Sequence, residues 1–287
     1  MKLSPEDVQG IKILLEQGVL TKAAISRQYG CSRGTVVDIS SGRIHKDIKP
    51  GKPIEAGKVV PKALGRGNVL VIGDLHQPFT LAGYLDFCIE QRDRFNCKTI
   101  IFIGDVIDNH YSSYHESDPD GLSGGDELDV AIRKLKPWVD AFPKAYVVIG
   151  NHDRMVMRKA FSGGIPKKWI REYKDVLEAP KWQFVDEVVI DNVQYLHGEG
   201  GTARSKANSD KFSTVQGHLH TQSYVDNQFG RDWRGFGMQV GCGIDRVTYA
   251  MAYAKNGPKP AIGCGVVLDQ GSLAIQIMAD LNEERFQ

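Results

Sequence analysis

The chain has 287 residues, 41% of them hydrophobic and 25% charged, with 11 Phe, 10 Tyr and 4 Trp available for a core; this excludes a long disordered protein and fits one large domain or two unequal ones. No apolar run reaches the ~18 residues of a membrane span, and the N-terminus lacks the apolar stretch of a secretory signal. Five scattered Cys without a C-x-x-C pair argue against a disulfide framework or a thiolate zinc site, so a cytoplasmic protein with no membrane association is expected.

Net charge is +1, yet residues 1–66 hold 12 Lys and Arg against 6 Asp and Glu, and the remainder holds 24 against 29. A basic arm on an acidic body points to an anionic partner for the arm. The first 45 residues read as three short helices. Ser4 and Pro5 are a cap and a first-turn proline, the run to Gln17 carries Val8, Ile11, Ile13, Leu14 and Leu15 on a rough helical face, and Gly18 stops it. Thr21 starts a second helix that runs through Tyr29. Gly30 supplies a turn, and Ser32 caps a third helix beginning at Arg33. Ala24, Ile25, Val36 and Ile39 fall inside. The spacing is that of a helix-turn-helix, whose last helix enters the major groove. Residues 1–45 are therefore expected to bind DNA, with Arg33, Thr35, Lys22, Arg27, Arg43 and Lys46 as contact residues and Asp38 also outward-facing. Residues 46–67, rich in Lys, Pro and Gly, read as a tether.

From residue 68 to 287 the texture is that of an α/β domain. Apolar runs at 69–73, 99–104 and 145–150 alternate with helical patterns at 81–93, 126–140 and 155–161, the last followed by another at 166–177. After Pro180 further runs at 187–190, 193–197, 264–268 and 273–278 follow in quick succession, as an antiparallel stretch would.

Each apolar run ends in metal-ligand residue types. VLVIGDLH ends in Asp74 and His76, TIIFIGDVIDN in Asp105 and Asp108, and AYVVIGNHD in Asn151, His152 and Asp153. VQYLHGEG ends in His197, and STVQGHLH in His218 and His220. Strands that deliver polar side chains at their C-terminal tips are how α/β folds build sites. The glycine that recurs before the polar group (Gly73, Gly104, Gly150, Gly217) lets the backbone turn sharply and approach a ligand closely. Carboxylates, an amide oxygen and imidazoles together form a mixed N/O donor set suited to Mn, Fe, Zn, Ni or Co rather than Ca.

The ordered blocks G-D-x-H, G-D-x-x-D, G-N-H-D, H and G-H-x-H resemble those of the calcineurin-like metallophosphoesterases over Val69–His220. The resemblance implies a four-layer α/β/β/α sandwich, preceded here by the small all-α helix-turn-helix-like domain. It implies two divalent transition-metal ions, manganese first. One would be held by Asp74, His76, Asp105 and His220, and the other by Asp105, Asn151, His197 and His218, with Asp105 as the bridge. In such enzymes a metal-bridging hydroxide attacks phosphorus. His152 would then protonate the leaving oxygen or stabilise charge, and Asp108 would hold the His152 ring.

Where the protein Ser/Thr phosphatases of this superfamily carry an Arg after the second Asp of G-D-x-x-D, this chain has Asn109. It has Asp153 where they prefer Glu, and it has the closing G-H-x-H that they lack. These departures favour the nuclease-like and phosphodiesterase branches. Asn109 and His110 would line the substrate pocket, although His110, like His45 and His115, also reads as an ordinary core or surface residue. The expected activity is hydrolysis of phosphate esters in nucleic acid, as a nuclease, phosphodiesterase or end-processing enzyme. The alternatives are a phosphatase or phosphodiesterase for nucleotides, small molecules or phosphoproteins, and a DNA-binding regulator whose phosphoesterase-like body senses a ligand. The pairing of a DNA-binding-like module with a compact phosphoesterase also looks similar to proteins carried by bacteriophages.

Overall fold

The computed structural model describes residues 3, 5–17, 22, 25–26, 29, 31–47, 67–113, 121–245 and 259–286. The chain divides into two compact units, Met1–Gly57 and Lys58–Gln287.

In the first unit, α1 (Pro5–Gln17) packs on α2 (Arg33–Ser40). Ser32 Oγ accepts a hydrogen bond from Thr35 N at 3.0 Å, a side-chain N-cap that satisfies one of the helix's otherwise unpaired N–H groups. Val8, Ile11, Ile25, Val36 and Ile39 form a small buried core. The segment expected to be a second helix, with Thr21, Ala24, Arg27 and the Gly30 turn, lies largely outside the described residues; Lys22, Ile25 and Ser26 within it are helical. Most of the expected tether lies outside them as well.

The second unit opens with β1 (Asn68–Ile72), α3 (Tyr84–Arg94), β2 (Cys97–Phe102), α4 (Gly124–Ala141), β3 (Tyr146–Val148), α5 (Met155–Ser162), the short α6 (Tyr173–Val176) and β4 (Gln183–Val185). It continues with β5 (Glu187–Ile190), β6 (Val193–Leu196), α7 (Ala203–Asp210), β7 (Ser213–Gln216), β8 (Tyr224–Phe229), β9 (Arg234–Gln239), β10 (Gly263–Leu268) and β11 (Leu273–Met278). One six-stranded sheet has the order β11-β10-β1-β2-β3-β4, and a five-stranded sheet has the order β5-β6-β7-β9-β8. Strands β1 to β4 are mutually parallel; β10 and β11 add antiparallel strands at one edge.

Successive side chains of a strand point to opposite faces, and here both faces are covered. Leu70, Ile72 and Phe102 point to a helix layer with Tyr84, Phe87, Leu135 and Trp138. Val69, Val71, Ile101 and Ile103 point to Val188, Val193, Tyr195, Val215 and Met238 of the second sheet. Helix α7 packs on β7 and β9. The layers are thus α/β/β/α. A one-residue slip of β1 or β2 would exchange the two apolar faces, so the packing fixes where each strand's polar tip ends.

Two expectations are corrected. The stretch after Pro180 is not simply antiparallel: β6 pairs with β7, and β7 with β9, in parallel. The crossover between β6 and β7 is α7, a polar helix that buries only Ala203 and Ala207, too little apolar surface to show a helical period. The helix expected over 166–177 breaks into a 3-10 turn at Lys167–Trp169 and the one-turn α6, with Ile170 and Glu172 extended between them. Its residues 167–169 bury nothing, so no packed face holds a continuous helix together. Among the described residues no helix is long and apolar enough to cross a membrane.

Candidate metal centre

Five strand tips converge. β1 delivers Asp74 and His76, β2 delivers Asp105 and Asp108, and β3 delivers Asn151, His152 and Asp153. From the second sheet β6 delivers His197, and β7 delivers His218 and His220. The loops after β1 and β2 are joined by main-chain bonds: His76 N donates to Asp105 O at 2.8 Å, and Gln77 N to Val106 O at 2.9 Å. The backbone is held in unusual conformations. His76, Asp105, Asn109 and His218 have φ of 49°, 48°, 52° and 68°, a left-handed region that costs a non-glycine residue about 1–3 kcal/mol where it is strained and that clusters at functional sites. Of the glycines before the motif residues, Gly104 has a positive φ, 114°. Gly150 is required for space instead, since a Cβ there would run into the Asp105 carboxylate.

Two groups of donors share one carboxylate. Asp74, His76, Asp105 and His220 place one ligand atom each within 4.8 Å of the others, as do Asp105, His197 and His218. In the first group His220 Nε2 lies 3.1 Å from Asp74 Oδ2 and 3.1 Å from His76 Nε2. In the second His197 Nε2 lies 3.2 Å from Asp105 Oδ2 and 2.9 Å from Asn151 Oδ1. Asp105 Oδ2 also faces His76 Nε2 at 3.7 Å, so it stands between the groups. All seven residues expected as ligands are therefore brought together.

The donor set fits cations. His76 Nδ1 lies 2.6 Å from Asp108 Oδ1, and His197 Nδ1 3.0 Å from Ile103 O. Both partners only accept, so each Nδ1 carries a proton and each Nε2 turns inward, open to a cation whenever the ring is neutral, the arrangement that orients metal-binding imidazoles. Lone pairs of nitrogen and oxygen then face one another, which is unfavourable unless a positive charge lies among them. Asp74 Oδ1 is buried with no hydrogen-bond partner, a costly state for a carboxylate oxygen unless a cation satisfies it.

The same field acts on the protons. Where no cation lies among the donors, burial works against a charge on His197, but Asp105 and Asp74 outweigh it and push the imidazole up to about 10, so a proton takes the place at Nε2 that a metal ion would take. Burial likewise opposes the Asp105 charge, and His197 with His76 holds that carboxyl well below its usual range. His76 is lowered by burial, against its hydrogen bond to Asp108, and His218 is lowered by burial and by His197.

His152 stands beside both groups at the rim, with 18% of its side chain exposed. Its main-chain N donates to Asp105 Oδ1 at 2.8 Å. Its Nδ1 lies 2.6 Å from the Asp108 carbonyl oxygen and 3.4 Å from that residue's carboxylate. Asp108 thus holds the His152 ring chiefly through its main chain, while its carboxylate makes the shorter bond to His76. Burial lowers the His152 pKa, but Asp105 and Asp108 outweigh it and the net shift is upward. The Asn109 amide donates to His152 O at 2.9 Å. His110 is buried, and its ring lies 3.9 Å from Asp108 Oδ2.

Two carboxylates support the site in ways the sequence does not indicate. Asp153 accepts from Gly150 N at 2.9 Å, Val106 N at 3.1 Å and Ile107 N at 3.3 Å, clamping the loops after β2 and β3 together. Burial, then Asp105, pushes its pKa up to about 6. Its place in G-N-H-D was the signal that could have found it. Glu127 on α4 accepts from His110 N at 2.7 Å and Tyr111 N at 3.3 Å; a helical Glu far from every motif gave no such signal.

The residues expected on DNA belong to the first unit. Lys22, Arg33 and Lys46 are exposed. Thr35 Oγ1 lies 2.9 Å from Ser32 Oγ within the cap. Arg43 pairs with Asp38 at 3.3 Å, and Arg27 lies outside the described residues.

Residues 67–236 match the calcineurin-like phosphoesterases. The chain belongs to that family, and with the Asp and His cluster just described it is a metal-dependent phosphoesterase, a hydrolase. Among solved structures it is similar to the Escherichia coli phosphoesterase YfcE, at 12% identity over 73% of this chain and 99% of that one, TM-score 0.37. It is also similar to a single mutant of Vps29 from Entamoeba histolytica (13% identity, 74% and 99% coverage, TM-score 0.31). Vps29 from Chaetomium thermophilum matches at 12% identity, with 72% and 83% coverage and TM-score 0.34. No curated protein matches the chain.

Proposed function

We propose that the chain hydrolyses phosphodiester bonds in nucleic acid at two divalent ions, manganese first, held by Asp74, His76, Asp105 and His220 and by Asp105, Asn151, His197 and His218. In this reading residues 1–45 bind DNA, residues 46–67 tether them, and residues 68–287 carry the chemistry. When bound, such ions supply Lewis acidity and lower the pKa of water. His152, fixed at Nδ1 by the Asp108 carbonyl, holds a proton at Nε2 for the leaving oxygen. Asp108 orients His76, and Asp153 keeps the loops in register.

The observation that carries the diester reading is Asn109. It occupies the position of the Arg expected of protein Ser/Thr phosphatases, and its amide is taken up by the His152 carbonyl. A guanidinium there would grip a dianionic phosphate monoester bidentately; a diester carries one charge fewer and needs it less.

The test is a manganese-loaded panel of single- and double-stranded DNA, RNA, bis-p-nitrophenyl phosphate and p-nitrophenyl phosphate, run on the full chain and on a chain lacking residues 1–66. Diesters should be cleaved in preference to the monoester. The truncation should leave the small diester nearly unaffected and weaken action on long DNA at physiological salt. Isolated residues 1–66 should bind duplex DNA with a log–log salt slope near −0.9 per phosphate contact. Arg33→Ala should weaken that binding by about 1–3 kcal/mol if Arg33 reads a base edge, and by less if it touches phosphate alone. Faster monoester hydrolysis, with no effect of the truncation, would replace this reading by a phosphatase for nucleotides or other small molecules.

A further inference from the structure

The second unit carries an acidic balance, yet its residues 154–169 (RMVMRKAFSGGIPKKW) contain five Arg and Lys and no Asp or Glu. This strip begins at the metal centre: α5 follows directly on His152, whose carbonyl oxygen accepts from Met155 N at 3.1 Å. Along α5, Arg154, Met157, Arg158 and Phe161 share one face at i, i+3, i+4 and i+7, and with Ser162 they line an open cavity of about 280 Å³. Beyond α5 the chain turns at Gly163 and Gly164 into the 3-10 turn Lys167–Trp169, which packs against α5.

Phe161 is 85% exposed and Trp169 is 82% exposed. Folding gains nothing from leaving two such rings in water, since burying a large apolar side chain is worth about 1.5–3 kcal/mol. Here they stand among Arg158, Lys159, Lys167 and Lys168, all exposed. Arg154, at the start of the strip, pairs with Glu199 at 2.6 Å and Asp186 at 3.5 Å, so the flanking cations are those beyond it, and Glu172 pairs with Lys174 at 2.8 Å.

We infer that the Arg154–Trp169 strip is a platform for single-stranded nucleic acid beside the metal centre, with Phe161 and Trp169 stacking on bases and the four flanking cations meeting phosphates. The inference rests on the reading of the substrate as nucleic acid and specifies its form. Exposed rings interleaved with cations fit unpaired bases on a charged backbone. In a duplex the base faces are already stacked, leaving the rings nothing to cover.

The test uses the full chain in the presence of a chelator, so that binding is read without cleavage. The probe is a fluorescent oligothymidylate followed by anisotropy. Phe161→Ala and Trp169→Ala should each weaken binding by about tenfold. Lys167→Glu with Lys168→Glu should weaken it and flatten the log–log salt slope by about 0.7 for each lost contact. Both rings are solvent-exposed, so circular dichroism should be unchanged. The first unit is the same in every variant, and excess unlabelled duplex DNA keeps it occupied, so the differences read the strip. Equal oligonucleotide affinity in wild type and ring variants would overturn the platform. So would ring-dependent binding to phosphatidylserine vesicles, or ring-dependent self-association, in place of oligonucleotide binding. Ring-dependent binding by an enzyme that cleaves no polynucleotide with manganese would uphold the platform and overturn the proposed substrate. Cleavage indifferent to the rings would do the reverse.

Discussion

Asp105→Asn should lower turnover by at least about 10³-fold while leaving the chain folded. Asp105 is nearly fully buried, and its Oδ2 faces both His76 Nε2, at 3.7 Å, and His197 Nε2, at 3.2 Å. Asn matches its shape and retains Oδ1 to accept from His152 N, so the loop after β3 keeps its anchor. The change removes the negative charge shared by the two donor groups, and with it the pull that holds two cations close together. A thousandfold corresponds to about 4 kcal/mol of transition-state stabilisation, a reasonable share for metal-assisted hydrolysis. Turnover of bis-p-nitrophenyl phosphate by the folded variant checks it, and near-normal rates would remove Asp105 from the bridge.

His152→Ala should retain the metals and lose turnover by about 10²–10⁴-fold, the usual worth of a positioned acid or base. The residue is fixed by the Asp108 carbonyl and by the Asp105 carboxylate, and its ring sits at the rim, outside the two groups that share Asp105 although clustered with His76 and Asp108. Asp108→Asn should behave differently. Its carboxylate orients His76 at 2.6 Å, so this variant should lose metal affinity by about 10–100-fold, as supporting partners of metal-binding His do. Metal content and rate measured on the same samples separate the two effects. Loss of metal from His152→Ala would place that residue among the ligands.

These expectations differ in how far the sequence alone supports them. Strands β1 and β2 were legible because burial on both faces writes a continuous apolar run, with a glycine and a polar residue where the run meets the site. The second sheet was harder to read. β8 (Tyr224–Phe229) is a half-exposed edge strand with a polar sequence, and β9 (Arg234–Gln239) is interrupted by two glycines. Helix α7 buries two alanines and shows no period.

The metal-ligand types stood out because each follows a strand tip. The support beneath them did not, because it depends on which loops meet. The bond from His76 to Asp108 spans 32 residues, and no local pattern distinguishes the Asp108 side chain from its carbonyl as the partner of His152. Glu127 is tied to its turn across α4, where a charged residue in a helix ordinarily reads as solvated surface.

On the proposed reading, the donors shared around Asp105 make a two-ion hydrolytic centre. Elemental analysis of the active protein, paired with activity before and after chelation and manganese return, tests it most directly. About two transition-metal ions per chain, lost with activity on chelation and restored with it, is the predicted result. Full activity with one ion or none, unchanged by the chelator, would contradict it.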